Sequence, residues 1–227
     1  MRPVVTSTVV TSPVVTSTVV TSTVVHDGTG AARLAALGLT AADFEFVLAG
    51  ADAEARTWTA LAPPVIAGMA RWGKTNELLR VRLLPRGWTY DDPRNMPRTI
   101  SPAGDFAIVA ATGDGATGHP GGTARNLYAR GIETVRAIGN RSQLAFEYPG
   151  LDLGPADDLT IWLLLYNPAG DEIRAELSRP QDITPAGYIS GWAERIMLPA
   201  VPLAPPVTLQ PAAARPDVTV AVARREA

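Results

Sequence analysis

Cysteine is absent from the 227 residues, histidine occurs twice, and Lys74 is the sole lysine. Without thiols the chain can hold no disulfide framework, thiolate nucleophile, iron–sulfur cluster or cysteine zinc site, and two histidines cannot build a His-rich metal cluster. A nuclease site of the PD-(D/E)xK type is disfavoured as well, because no acid stands two residues before the single lysine. Charge is sparse. Only 19% of residues are charged and the net charge is −2, which excludes a strongly basic nucleic-acid binder or an acidic disordered chain unless charge is locally segregated. No apolar run nears the roughly 18 residues of a membrane helix, and the N-terminus has no basic region followed by a continuous apolar stretch. The expectation is a cytoplasmic protein without membrane contact.

What is present suffices for one domain, since 46% of residues are apolar. All but one of the 20 basic residues are arginine, and Gly and Pro each occur 20 times. That bias points to GC-rich coding more than to function.

From Val4 the sequence reads VVTST, VVTSP, VVTST, VVTST and then VVHDG, a pentapeptide repeat that breaks at His26. Val and Thr favour strands, but a period of five puts successive Val pairs on opposite faces of a strand, so no apolar face accumulates. Residues 1–30 therefore read as a low-complexity, disordered or misannotated leader, with a self-associating β segment as the alternative. Residues 31–198 read as the domain and 199–227 as a Pro-rich tail.

Within the domain, residues 31–37 suggest a short helix stopped by Gly38, and Thr40 is a plausible N-cap for a second. Phe44, Val47, Leu48, Ala51, Ala55 and Trp58 recur at helical spacing as its buried stripe. Pro63-Pro64 suit the first turn of a third helix, whose apolar face continues through Met69, Trp72 and Leu79 until Pro85 and Gly87 stop it. The alternation Leu79, Val81, Leu83 would also suit a strand. Past Pro85, short strands separated by Gly and Pro turns take over, at residues 106–111, 143–148 and 159–166, the last apolar enough to lie centrally. Asn167 to Asp171 form a turn into residues 172–178, where Ile173, Ala175 and Leu177 alternate with Arg174, Glu176 and Ser178, predicting one buried and one wet face. Residues 189–198 suggest a further strand. Six prolines between Pro199 and Pro216 imply a tether or a surface strap, and Val218, Val220 and Val222 would suit an edge strand. Helical and strand patterns are largely segregated, so the expected fold is α+β, with N-terminal helices on a mixed or antiparallel sheet.

Two constellations could carry chemistry. The first is the loop TGDGATGHPGG from Thr112 to Gly122, which contains GxGxxG at Gly113, Gly115 and Gly118 and is expected to precede a helix over 123–138. Glycines let backbone N–H groups approach a phosphate at a helix N-terminus. No lysine follows in the Walker position, and the acid spacing of a dinucleotide site fails, so a mobile surface loop is the plainer reading. His119 is the one histidine of the domain and the natural general acid/base, with Asp114 to orient it or to bind a metal. No cofactor is identified, and no metal-ligand motif is visible.

The second constellation runs from Arg71 to Arg98. Seven basic residues stand there against three acids, with Trp72, Trp88 and Tyr90 among them. Arginines beside exposed aromatics suit single-stranded nucleic acid, Arg94, Arg98 and Trp88 being the candidate contacts. Core tryptophans and a solvated arginine face are the plainer reading. Residues 152–194 lean acidic and could simply attract this region.

The run Arg71-Trp72, Gly87-Trp88, Pro93-Arg94-Asn95, Pro97 to Ile100, Phe106-Ala107-Ile108 and Ala111 to Asp114, with Arg174 to Ser178 and Trp192 to Ile196, resembles a family of uncharacterised bacterial proteins. The resemblance spans about residues 40–200. It implies a folding unit that excludes the repeat, and it transfers no activity and no catalytic residues. The expected function is that of a binding or accessory protein, contacting nucleic acid or a protein partner through residues 71–98. The competing expectation is an enzyme acting on a phosphate-containing ligand through the glycine loop, Asp114 and His119.

Overall fold

Thr40 closes a capping box with Asp43, each side chain bonding the other's backbone N–H, and so starts the second of four helices in a computed structural model that describes residues 23–25, 28–139 and 159–203. The helices are α1 (Gly28–Ala36), α2 (Ala41–Ala55), α3 (Pro64–Leu83) and α4 (Ile132–Ile138). Gly38, at φ +71°, ends the first helical segment in the left-handed conformation that glycine tolerates. In α2 the stripe Phe44, Val47, Leu48, Ala51 and Ala55 is buried, whereas Trp58 lies beyond the helix end and is half exposed. Pro64 opens α3, and Leu79 and Leu83 are buried on its inner face, so this segment is helix and not strand.

Among the described residues the strands are β1 (Thr23–Val25), β2 (Thr89–Asp91), β3 (Arg98–Ile100), β4 (Phe106–Thr112), β5 (Thr160–Ala169), β6 (Glu172–Ile183), β7 (Ile189–Met197) and β8 (Val201–Pro202). They form one mixed sheet in the order β1-β7-β6-β5-β4-β3-β2, with β8 also paired to β6. The fold is thus α+β. Parallel pairing occurs at β4–β5 and at β1–β7; the remaining pairs are antiparallel. Strand β5 lies between β4 and β6, and its run Ile161 to Tyr166 is buried on both faces, which is why it shows no polar alternation. Pro168 falls past the last residue paired to β4, where a missing N–H leaves no ladder bond open on that side. The β5–β6 turn needs only Gly170 and Asp171, shorter than the sequence pattern implied, with Gly170 at φ +68°.

Both faces of the sheet are covered. Helices α1 to α3 bring Leu34, Phe44, Val47, Leu48, Leu79 and Leu83 against Ile108, Trp162, Leu164 and Leu177. On the opposite face Val109, Leu163, Leu165, Ile189 and Trp192 pack under Val135 of α4, Ala124 and Met96.

Three expectations change. Thr23, Val24 and Val25, the end of the repeat region, pair in parallel with Glu194, Arg195 and Ile196 of β7, so the last residues of the stretch read as leader join the sheet. An edge strand this short needs no extended apolar face, which is why the five-residue period does not forbid it. The supposed wet face of β6 is not wet: Glu176 and Ser178 are fully buried. The helix expected over 123–138 begins only at Ile132. Upstream of it, Trp192 Nε1 donates to the Ala124 carbonyl at 2.8 Å and the Asn126 side chain takes up loop backbone groups, holding this stretch in non-helical form. In the Pro-rich tail, β8 straps across β6 through Ile173 and Glu172. Residues 143–148 and 218–223, most of the repeat and the rest of the tail lie outside the described residues.

Candidate functional site

The glycine loop leaves β4 at Thr112 and folds back over β6, where it meets the most deeply buried ion pair among the described residues. Arg195 on β7 grips Glu176 on β6 through two nitrogens, at 3.2 Å and 2.5 Å, with side-chain exposures of 4% and 0%. The same guanidinium donates to the Gly122 and His119 carbonyls at 2.5 Å and 3.4 Å, and the Gly118 N–H donates to Glu176 Oε2 at 3.2 Å. Gly118 sits at φ +75°, and a Cβ there would stand 3.0 Å from Arg174 Cβ and 3.2 Å from the Ala175 nitrogen. At Gly113 a Cβ would overlap the Thr117 side chain. Gly113 and Gly118 therefore permit close approach of loop to protein, and the Gly118 N–H that a phosphate would need already serves Glu176. Of these three glycines, Gly115 has open space around it.

Asp114 Oδ1 accepts from the Ala116 N–H at 3.1 Å, an Asx turn that shapes the loop. Its cleft, of about 440 Å³, is shared with Thr184, Tyr188 and Ser190 and does not include His119. His119 is exposed; its backbone is pinned at both ends and its ring lines none of the four described clefts. Among the described residues no three His, Asp or Glu side chains gather as metal ligands.

The arginines of residues 71–98 each have an acidic partner, some of them far away in sequence. Arg71 pairs with Asp52 at 2.8 Å, and Arg82 and Arg86 share Asp43 at 2.8 Å and 2.9 Å. Arg80 holds Asp92, Arg98 holds Asp91, Arg94 holds Glu133 and Lys74 holds Glu77. Burial alone would raise the Asp43 carboxyl, but Arg82, Arg86 and the Thr40 groups outweigh it and hold the carboxyl below the ordinary aspartate value. Trp88 is 3% exposed and meets Phe106 edge-on at 5.4 Å, so its ring offers no stacking face. Tyr90 is exposed, and the Arg80 guanidinium lies over its ring at 4.4 Å.

A different place combines space, apolar surface and an unpaired cation. At the carboxyl ends of the parallel pair β4–β5, Thr112 and Tyr166 are register partners, and the chain beyond Thr112 turns away along the glycine loop. Above them opens a cleft of about 630 Å³, within the range of small-molecule sites. One wall is a face of α3, with Pro64, Val65, Gly68, Met69 and Trp72; the other is the segment carrying Tyr128 and Arg130; Arg71, Thr112 and Tyr166 complete it.

Asn126, buried, fixes that second wall. Its Nδ2 donates to the Tyr128 and Gly187 carbonyls, both at 2.8 Å, while its Oδ1 accepts from the Ile189 N–H at 2.9 Å. The Arg130 N–H donates to the Gly187 carbonyl at 2.8 Å, and Gly187 at φ +84° lets the two backbones touch. Arg130 is thereby held over the cleft, yet among the described residues no carboxylate pairs with it, and its buried Nε has no hydrogen-bond partner. Burial lowers its guanidinium below the ordinary arginine value. Tyr166 is buried to 1% exposure, and burial pushes its phenol above the ordinary value, so the hydroxyl stays protonated and able to donate. Thr112 Oγ1 lies 3.5 Å from it.

Of the residues named from the sequence, Pro64, Met69, Arg71, Trp72 and Thr112 reach this cleft, none of them as a site candidate for it. Tyr128 and Arg130 stand two residues apart on one loop and meet Tyr166 from β5, so they form no local motif. Compared with protein-family models, curated proteins and solved structures, the chain matches none of them.

Proposed function

We propose that the protein binds a small organic anion in the cleft between α3 and Arg130. One observation carries this reading: Arg130 stands half-buried in a cleft of about 630 Å³ whose lining, among the described residues, includes Arg71 but no acid. A buried charge without a partner is costly, and an incoming carboxylate or phosphate would supply both countercharge and acceptors for its N–H groups. Thr112 Oγ1 donates to the Tyr166 hydroxyl, which is left to donate its own proton beside Arg130. In open α/β sheets ligands bind outside the carboxyl ends of the strands, and this cleft lies at the corresponding end of the parallel pair β4–β5.

Contact with nucleic acid through Arg94, Arg98 and Trp88 has less support, because the arginines are paired and the tryptophan is core. Chemistry at Asp114 and His119 also has less, because the glycines around them serve the Glu176–Arg195 anchor. The test is a thermal-shift and calorimetric screen with acetate, benzoate and inorganic phosphate against wild type and Arg130→Gln. A ligand at a hundred times its Kd stabilises by about 2.7 kcal/mol. Stabilisation by at least one anion, lost in the variant, is expected; no stabilisation by any, or equal stabilisation of both proteins, would sink the proposal.

A further inference from the structure

In the cleft above β4 and β5 the usual arrangement of a protein surface is inverted. Its polar groups are the sheltered ones: Tyr166 is fully buried, the Arg71 side chain is 18% exposed, and Arg130 keeps its Nε out of solvent. Its apolar groups form the rim, with Val65 at 61%, Met69 at 58% and Tyr128 at 68% exposure. Val65, Met69 and Trp72 stand at i, i+4 and i+7 on α3, the spacing of one helix face. On an ordinary surface helix such a stripe turns toward the core. Here Leu79 and Leu83, two turns further on, take the core positions, and the first half of α3 presents its stripe to the cleft.

We infer that the ligand is an amphiphile that enters head first: a carboxylate meets Arg130 and Tyr166 at the inner end, and an aliphatic tail lies along Val65, Met69 and the Tyr128 ring. This rests on the anion-binding reading and adds the ligand class to it. Charge complementarity fixes the head, since among the described residues the lining carries no acid and Arg130 has no acidic partner, Arg71 being paired with Asp52. Length fixes the tail, because the stripe from Val65 to Trp72 spans seven residues of helix, about 10 Å. A short anion would satisfy Arg130 and leave the rim in water; an uncharged hydrocarbon would cover the rim and leave Arg130 unpaired.

The experiment is isothermal calorimetry of the full chain with straight-chain carboxylates from acetate to decanoate, below their micelle concentrations, and with alcohols of the same lengths. Affinity is expected to rise about two- to fourfold per added methylene, then level off once the tail outruns the stripe. Met69→Ser and Val65→Ser, both at exposed positions, should flatten that slope, with the loss growing with chain length. Arg130→Gln should lower affinity by a similar factor at every length, and Arg130→Lys should recover part of it. Alcohols should bind at least tenfold more weakly than the acids. A carboxylate affinity that depends on Arg130 but not on tail length overturns the amphiphile and leaves the anion site standing. A length dependence that survives in the Met69 and Val65 variants overturns the tail placement. Absence of binding by every acid removes the anion site and this inference with it.

Discussion

Glu176→Gln separates charge from shape at the pair that holds the glycine loop. The amide keeps the size of the side chain and an acceptor for the Gly118 N–H, but it leaves the Arg195 guanidinium buried without a countercharge. Removing one partner of a buried pair destabilises by about 3–5 kcal/mol. Arg195 retains the Gly122 and His119 carbonyls, so the lower end, about 3 kcal/mol, applies to Gln. Glu176→Ala also strips the acceptors of Gly118 and Ser178, at about 1 kcal/mol each, for about 5 kcal/mol in all. In a domain of this size 1 kcal/mol moves Tm by about 2–4 °C, so the expected drops are about 6–12 °C for Gln and about 10–20 °C for Ala. Calorimetric melting measures them, and hydrogen exchange at the Gly118 amide reports the loop separately. The double variant Glu176→Met with Arg195→Leu should regain much of the loss, since two apolar partners leave no orphaned charge. A Glu176→Gln protein melting within about 2 °C of wild type would refute the reasoning, because the pair would then contribute less than 1 kcal/mol.

Gly187→Ala should lower Tm and abolish anion binding together: φ +84° is strained for alanine, and its Cβ would overlap the Arg130 backbone. Parallel melting and titration check this, and a stable variant that still binds would contradict the wall geometry. For Asp43, whose folded value lies below its unfolded one, the stabilisation is present above the ordinary aspartate range and lost as pH falls through the folded value. The stability gap between wild type and Asp43→Asn should therefore be about 2 kcal/mol at neutral pH. Urea melts should show that gap shrinking below about pH 4; a gap constant down to pH 2 would count against the Arg82 and Arg86 pairing. A chain starting at His26 should be about 1 kcal/mol less stable than one starting at Thr23, since it loses the β7 edge pairing and the partly buried Val25. Equal denaturant midpoints for the two would mean that β1 contributes nothing.

Much of the scaffold was legible because local rules decided it. The Thr40 cap, the Pro64 start of α3 and the doubly buried run of β5 need only a few neighbouring residues to be read. The misreadings share a cause. Alternation in β6 correctly assigned Glu176 and Ile173 to opposite faces, but it carries no information about what covers each face, and the cover comes from a loop some sixty residues away. Glycine at Gly113 and Gly118 signals close approach without naming what approaches. Arginines 82 and 86 looked unpaired because Asp43 is on another helix. The cleft was invisible for the same reason: Met69 and Trp72 read as core by helical spacing, and only the fold reveals that they line an open cleft.

The parallel pairing of Thr23 to Val25 with β7 gives the repeat an unusual tolerance. The tripeptide Thr-Val-Val stands at 23–25 and again at 18–20 and 8–10. Gain or loss of whole pentapeptides upstream alters chain length in steps of five, yet the residues meeting β7, and their distance from α1, stay the same. Copy-number drift in the gene thus leaves the strand that meets β7 unchanged, and the repeat can vary in length while the tripeptide it delivers does not.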